Sequence, residues 1–300
     1  MKIAVGYTKN RLATLAVINA LAHGFKAHGD TSHKIKQIAD LKDDDYDAAV
    51  QYGEWNNGSN KVRKAIHNLC KETKARKIIA DLGLLLTDRA TANTNLDRYT
   101  YIGYDRFKGL ANCYNNNSPS DRWDLLVKDG IELKPWRKDG DYIVVFGQRS
   151  DAASTRHCDY FKWLKTTLIS LRKHTDRPII FRAHPITRSK DIPDFGIDDF
   201  VVSKFKNKSM SEILKNAWCS VTRTSNAGVD SILHGVPVIC SDPVCVGYNL
   251  STHSIKDIEN PAMLEREQFF YDLAYAQWSI SEIKKGECWD HLRPHCKEDK

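Results

Sequence analysis

Three stretches of this chain place cationic, protonatable or amide side chains directly after apolar runs: "FGQRSD" (146–151), "FRAHP" (181–185) and "TRTSNAG" (222–228). The first offers Gly147, Gln148 and Arg149, the second Arg182, His184 and Pro185, and the third Arg223, Thr224, Ser225 and Asn226. Such groups suit a reaction that builds negative charge, because donors and cations already in place stabilise that charge as it develops. Departure of a phosphate or another anionic leaving group is a reaction of this kind. His184 could pass a proton to the leaving group, and the cations are side chains, so no metal is required.

These residues need a scaffold that gathers strand ends. "YIVVFG", "PIIFRAHP", "DFVVS", "CSVTRT" and "VPVICSD" alternate with helix-like runs, and "KIAVGY", "DAAVQYG" and "RKIIADLGLLL" do so in the first half. Alternating β and α segments at this spacing predict parallel, doubly wound sheets. The fold class is therefore α/β: two Rossmann-like domains with a cleft between them and a C-terminal helical tail. The expected division is 1–138 and 139–300, after a loop-rich stretch from Asp88 to Gly140, and the tail is "MLEREQFFYDLAYAQWSISEIKKG". Ligands of such sheets lie beyond the carboxyl ends of the strands, often at helix N-termini. A helix starting at Ser225 and Asn226 would offer free N–H groups to a phosphate, although plain N-capping by Thr224, Ser225 or Asn226 accounts for the same residues.

"GVDSILHGVPVI" resembles the nucleotide-binding segment of glycosyltransferases of the two-Rossmann GT-B fold, with Asp230, Gly235, Pro237 and Val238 in the matching places. His184-Pro185 is similar to the His-Pro motif of bacterial sialyltransferases and capsule-type Kdo transferases, and "GQRSD" to the loop opening the second domain of the capsule-type group. The resemblance covers about 142–250. It implies a metal-independent transferase with a nucleotide sugar (UDP-, CMP- or GDP-linked) as co-substrate and no other cofactor. It also implies that His184 contacts the donor phosphate, that Asp230 holds the donor ribose, and that the first half binds the acceptor.

An inverting transfer needs a base. Asp81 in "IIADLG" resembles the acidic-Gly motif of the same families with Leu82 intervening, and Asp88 and Asp105 are the alternates. Charge bears on the acceptor: the formal net charge of +7 lies wholly within residues 1–138, and "KVRKAIHNLCKETKARK" (61–77) has seven basic residues and one acidic. A solvated helix face explains such a run, and so does a surface for a polyanion. On the second reading the favoured acceptor is 5-hydroxymethylpyrimidine in duplex DNA, as for a bacteriophage enzyme. Lys61, Arg63, Lys64 and Arg106 would follow phosphates, and Trp55, Tyr104 and Trp123 would stack on an extruded base. An acidic surface polysaccharide, a nucleotide-sugar 2-epimerase and a non-catalytic DNA-binding module are the alternatives.

The eight cysteines show no CxxC pair and read as buried thiols. The tail "CWDHLRPHC" holds Cys288, His291, His295 and Cys296, ligand types that zinc accepts, at a spacing unlike the standard fingers. No apolar stretch reaches the roughly 20 residues that span a bilayer, and no signal-peptide pattern leads the chain, so a cytoplasmic location is expected.

Overall fold

A computed structural model describes residues 1–7, 12–41, 45–54, 60–85, 99–155, 158–184, 187, 192, 195, 200–202 (backbone) and 208–298. The chain divides into two compact units: Met1–Phe107 with Ala111–Ile131 and Glu267–Lys300, and Glu132–Arg266 with Lys108–Leu110.

In the first unit, strands β1 (Lys2–Gly6), β2 (Thr31–Ile35), β3 (Ala48–Tyr52) and β4 (Arg76–Leu82) run parallel in the order β4-β3-β1-β2. Side chains alternate across each strand, so Ile3, Val5, Val50 and Ile78 pack on one face while Ala4 and Ala49 pack on the other. Helix α1 (Leu12–Ala27) covers the first face with Val17, Ile18 and Phe25. Helix α2 (Lys61–Glu72) covers the second with Val62, Ile66 and Cys70, its N-terminus capped by the Asn60 side chain.

Two strands of this sheet differ from the sequence expectation. β5 (Tyr99–Tyr104) lies inside the stretch read as loop and pairs antiparallel with β4, and α3 (Asp121–Lys128) follows it. The expected helical tail is broken by β11 (Gln277–Ser279), which pairs antiparallel with β5, leaving α7 (Glu267–Tyr275), α8 (Ile280–Lys285) and α9 (Glu287–Leu292) around it. Ile283, Cys288, Trp289 and Leu292 are buried in the same cluster as Phe25. The segment from Glu267 therefore belongs to the first unit and not, as the 139–300 division placed it, to the second, because the edge of β5 and the apolar face of α1 are what it covers.

The second unit holds β6 (Tyr142–Phe146), β7 (Ile179–Arg182), β8 (Phe200–Val202), β9 (Ala217–Thr222) and β10 (Val238–Ile239), all parallel, in the order β10-β9-β6-β7-β8. β6, β9 and β10 are nearly continuous buried runs, as a sheet covered on both faces demands, while β7 alternates buried and half-buried residues. Helix α4 (Tyr160–Arg172) packs Leu164 and Leu168 on Ile143, Val145, Phe181 and Val221. Helices α5 (Met210–Leu214) and α6 (Ala227–Leu233) pack on Val144 and Phe146 from the other side. Among the described residues no helix is long and apolar enough to cross a membrane.

Candidate functional site

From β6 the chain crosses over to β7 on one side, while β9, on the other side of β6, continues to β10. The point between β6 and β9 is thus a topological switch point, where loops leave in opposite directions and open a crevice beyond the strand ends. The loop after β6 carries Gly147, Gln148 and Arg149, and the turn after β9 carries Arg223, Thr224, Ser225 and Asn226.

Gln148 ties the two together. Its Nε2 donates to Thr224 Oγ1 at 2.7 Å and its Oε1 accepts from the Thr224 N–H at 2.9 Å. Both residues are buried, and the Gln148 N–H donates to the Tyr160 hydroxyl at 2.7 Å. Burial pushes the Tyr160 phenol up to about 12, which keeps it neutral. Gly147 continues the ladder, donating its N–H to Arg182 O.

The turn after β9 closes largely on itself. Ser225 N–H donates to Thr222 Oγ1, Ala227 N–H to Ser225 Oγ, and Gly228 N–H to Ser225 O. These donors were expected to be open to a phosphate, and they are taken because α6 is short and its first turn is capped from within. The Arg223 guanidinium pairs with Asp242 at 2.5 Å. One acceptor of the turn is left over: Asn226 Oδ1 is buried with no hydrogen-bond partner. Asp230 lies on α6, half-buried, with its carbonyl accepting from His234 Nδ1 at 2.8 Å.

A pocket of about 220 Å³ opens beside this crossing, between the ends of β6 and β7 and the start of α4. Tyr160, Phe161, Leu164 and Phe181 give it an apolar, aromatic lining, and Arg149, Asp151, His184 and Thr187 supply the polar groups. Arg149 grips Asp151 with two bonds, Nε to Oδ1 at 2.8 Å and Nη2 to Oδ2 at 2.5 Å. That guanidinium holds the Asp151 carboxyl below its ordinary value, and the nearby His184 acts in the same direction. Arg182 does not join the pocket. Phe181 faces α4, so Arg182 faces the opposite side, where its guanidinium meets Met210 Sδ and approaches the Phe146 ring. Pro185 lies outside the described residues.

The first unit disposes of its expected site residues differently. Asp81 stands within β4, half-buried and in register with Tyr101, rather than after the strand. Asp105, at φ 64, accepts from Arg76 at 2.8 and 3.1 Å, which makes it an ion-pair partner. Tyr104 and Trp123 are corrections: both are buried, the Tyr104 hydroxyl donating to Leu292 O at 3.0 Å and Trp123 packing on Phe270. Neither ring is available to a base, because β5 and α3 turn them into the core. Lys61, Lys64 and Arg106 are exposed, whereas Arg63 is half-buried with its guanidinium against Gly53. Arg76 is buried and Lys77 reaches Glu54 at 3.4 Å, so part of the basic run is spent inside the unit. Trp55 and Asp88 lie outside the described residues.

The four tail residues with zinc-ligand side chains do not converge. Cys288 and Cys296 are buried, His291 Nε2 meets Cys113 O at 2.8 Å, and His295 stacks on Tyr114 and pairs with Glu298. Among the described residues no group of three or more His, Cys, Asp or Glu is placed to hold a metal.

Sequence reasoning passed over Tyr160, Asp151 and Asp242. Asp151 stood in the "GQRSD" segment itself, but the roles of Tyr160 and Asp242 depend on partners 12 and more positions away, for which the local sequence carries no signal.

No family model matches the sequence, and no curated protein matches it. Among solved structures the chain is similar to Thermosulfurimonas dismutans KpsC, a β-Kdo 2,4 transferase, with a TM-score of 0.54 at 11% identity over 92% of this chain and 89% of that one. The β-Kdo 2,7 transferase of Thermosulfurimonas dismutans KpsC gives 0.48 at 16% identity over 98% and 99%. The Methanocaldococcus jannaschii UDP-GlcNAc 2-epimerase in complex with UDP-GlcNAc and UDP gives 0.31 at 14% identity over 83% and 87%. The first likeness, at that identity, is one of fold. It identifies the architecture as GT-B-like, with two Rossmann-like units.

Proposed function

We propose that this protein transfers a glycosyl group from a nucleotide sugar to a hydroxyl acceptor. The observation that carries this reading is that the β6 loop is tied to the β9 turn at the switch point of a parallel sheet and shares a pocket with His184. That is where an open α/β sheet binds its ligand. The similarity of fold to a solved β-Kdo transferase supports it.

On this reading the donor phosphate lies over the pocket rim, where Arg149 and His184 meet the charge that grows as the sugar leaves. His184 passes a proton to the departing oxygen. The unpaired Asn226 Oδ1 accepts from a hydroxyl of the ribose or sugar, and Asp230 anchors the ribose. Asp81 is the base for an inverting transfer. Side-chain cations supply the positive charge, so the reaction proceeds without a metal, and chelation by EDTA is expected to leave the rate unchanged. The donor would be drawn from the cytoplasm.

The acceptor is proposed to be a polyanion met by the exposed lysines of α2. 5-Hydroxymethylpyrimidine in DNA and an acidic polysaccharide both qualify, but burial of Tyr104 and Trp123 removes two of the three stacking rings that favoured an extruded base.

The test is a thermal-shift panel of UDP-, CMP- and GDP-sugars on the wild type and on His184→Ala, since a ligand that binds only the folded state raises the melting temperature. A shift with one nucleotide class that is lost in the variant is the expected result. No shift with any donor would overturn the reading.

A further inference from the structure

Two thiols that the proposed transfer does not use lie directly behind the β9 turn. Cys240 follows β10, is buried, and its Sγ donates to Arg223 O at 2.9 Å. Cys245 is buried as well, and its Sγ lies 4.0 Å from Ser225 O. Between them "SDPV" forms a tight turn, with Val244 N–H on Asp242 Oδ1 and Cys245 N–H on Asp242 O, both at 2.9 Å. The turn gathers both cysteines on one carbonyl, Asp242 O, which Cys240 Sγ approaches at 3.5 Å and which also accepts the Cys245 N–H. Asp242 of the same turn is the partner of Arg223. The pair thus touches the functional turn at both thiols and at the ion pair.

We propose that Cys240 and Cys245 are a redox pair, with Cys245 attacking the oxidant and Cys240 resolving, and that closing their disulfide releases the Arg223–Ser225 turn.

The surroundings distinguish the two sulfurs. The neighbouring Cys240 thiol, the Gly247 N–H and the Lys108 ammonium together hold the Cys245 thiol below the ordinary value against the opposing effect of burial. Lys108 is kept in place by its bond to Thr224 O at 3.2 Å. Cys240, beside Cys245 and buried, is pushed up and stays a thiol. A low thiol value and a resolving neighbour are the features of a sulfur that oxidises reversibly.

With hydrogen peroxide as the oxidant the steps balance. The Cys245 thiolate attacks one peroxide oxygen, the O–O bond breaks, and hydroxide leaves with the sulfur oxidised to a sulfenic acid. Cys240 then attacks that sulfur, its proton leaves with the expelled hydroxide as water, and the S–S bond forms. Two thiols and one peroxide give one disulfide and two waters. The Cys240 S–H is consumed, so the Arg223 carbonyl loses that donor.

The experiment is peroxide treatment of the full chain, alkylation with N-ethylmaleimide, and mass analysis of the tryptic peptide Thr224–Lys256, which contains Cys240 and Cys245 and no other cysteine. The expected product is unalkylated, lighter by two hydrogens, and restored by dithiothreitol. Cys240→Ser should leave a sulfenic acid at Cys245 that dimedone captures, and Cys245→Ser should leave Cys240 alkylated. A wild-type peptide alkylated at both sites after prolonged peroxide treatment would overturn the proposal, as would dimedone capture at Cys240 instead. The functional half rests on the glycosyl-transfer reading: the donor-induced thermal shift should fall at least threefold on oxidation and return on reduction. The mass readout needs no donor, so failure of either idea is seen separately, and an unchanged shift in a protein shown to carry the disulfide would overturn release of the turn.

Discussion

At the scale of single residues, Thr224 of the β9 turn is held by a side chain from the loop after β6. Replacing Gln148 with Ala strands the buried Thr224 N–H and hydroxyl together, each costing on the order of 1–3 kcal/mol when unpaired. We expect Gln148→Ala to destabilise the second unit by about 3 kcal/mol, read by urea unfolding. Thr224→Val keeps the N–H bond and should cost less. The double variant should fall short of the sum of the two by at least about 1 kcal/mol, since the residues share one pair of bonds. Strict additivity would mean that the clamp does not form in solution. The same logic shows why polar residues are an incomplete guide to a site. Arg223, Thr224 and Gln148 were legible as polar groups at strand ends, but their partners, Asp242 and each other, are long-range facts.

At the scale of elements, joints between helices and strands decide what substitutions cost. Gly235 turns the chain from α6 into β10 at φ 72, and a Cβ there would run into the Pro135 carbonyl. Gly130, at φ 97, has open space around it. Gly130→Ala should therefore cost about 1 kcal/mol for its backbone conformation alone, and Gly235→Ala at least about 2 kcal/mol more for the collision. Equal losses of melting temperature in the two variants would contradict this account. A second joint ties the C-terminal segment to the entry of β2. Asp30 is buried and accepts from Trp289 at 2.7 Å and from Arg293 at 2.9 and 3.1 Å. Burial works to raise its carboxyl, but Arg293 and the other donors outweigh burial and hold it well below the ordinary range. A carboxyl depressed in the folded state contributes stability that is complete above its unfolded value, near 4, and disappears as pH falls towards the folded value. The acid limb of the stability curve below about pH 4 should therefore flatten in Asp30→Asn. That variant should also be less stable than the wild type at pH 7, by about 3 kcal/mol.

At the scale of the whole molecule, what could be read in advance was set by whether a segment's burial is local or borrowed. "YIVVF" and "AWCSVT" are rich in apolar residues because their sheet is covered on both faces, so the parallel strands of the second unit were legible. β5 sits among Asn, Ser and Tyr, and β11 is three residues inside a helical pattern. Their pairing joins Tyr101 to Gln277, a separation that no local period encodes. Charge follows the same division. Counted along the sequence, the stretch 61–77 looks uniformly basic, yet Arg76 is buried against Asp105 and Lys77 reaches Glu54, which leaves Lys61, Lys64, Lys71 and Lys74 exposed. If these exposed lysines contact the phosphates of a polyanion, each contact releases a counterion, and log affinity falls with log salt with a slope of about −0.9 per phosphate on duplex DNA. Lys61→Gln with Lys64→Gln should then reduce that slope by about 2, measured by fluorescence anisotropy on a 5-hydroxymethylcytosine duplex, its unmodified twin and heparin. Equal loss on all three probes identifies α2 as a general polyanion face, and tighter wild-type binding to the modified duplex alone would bring back the DNA acceptor. Failure to bind any of them at low salt would leave α2 a solvated helix face and the acceptor uncharged.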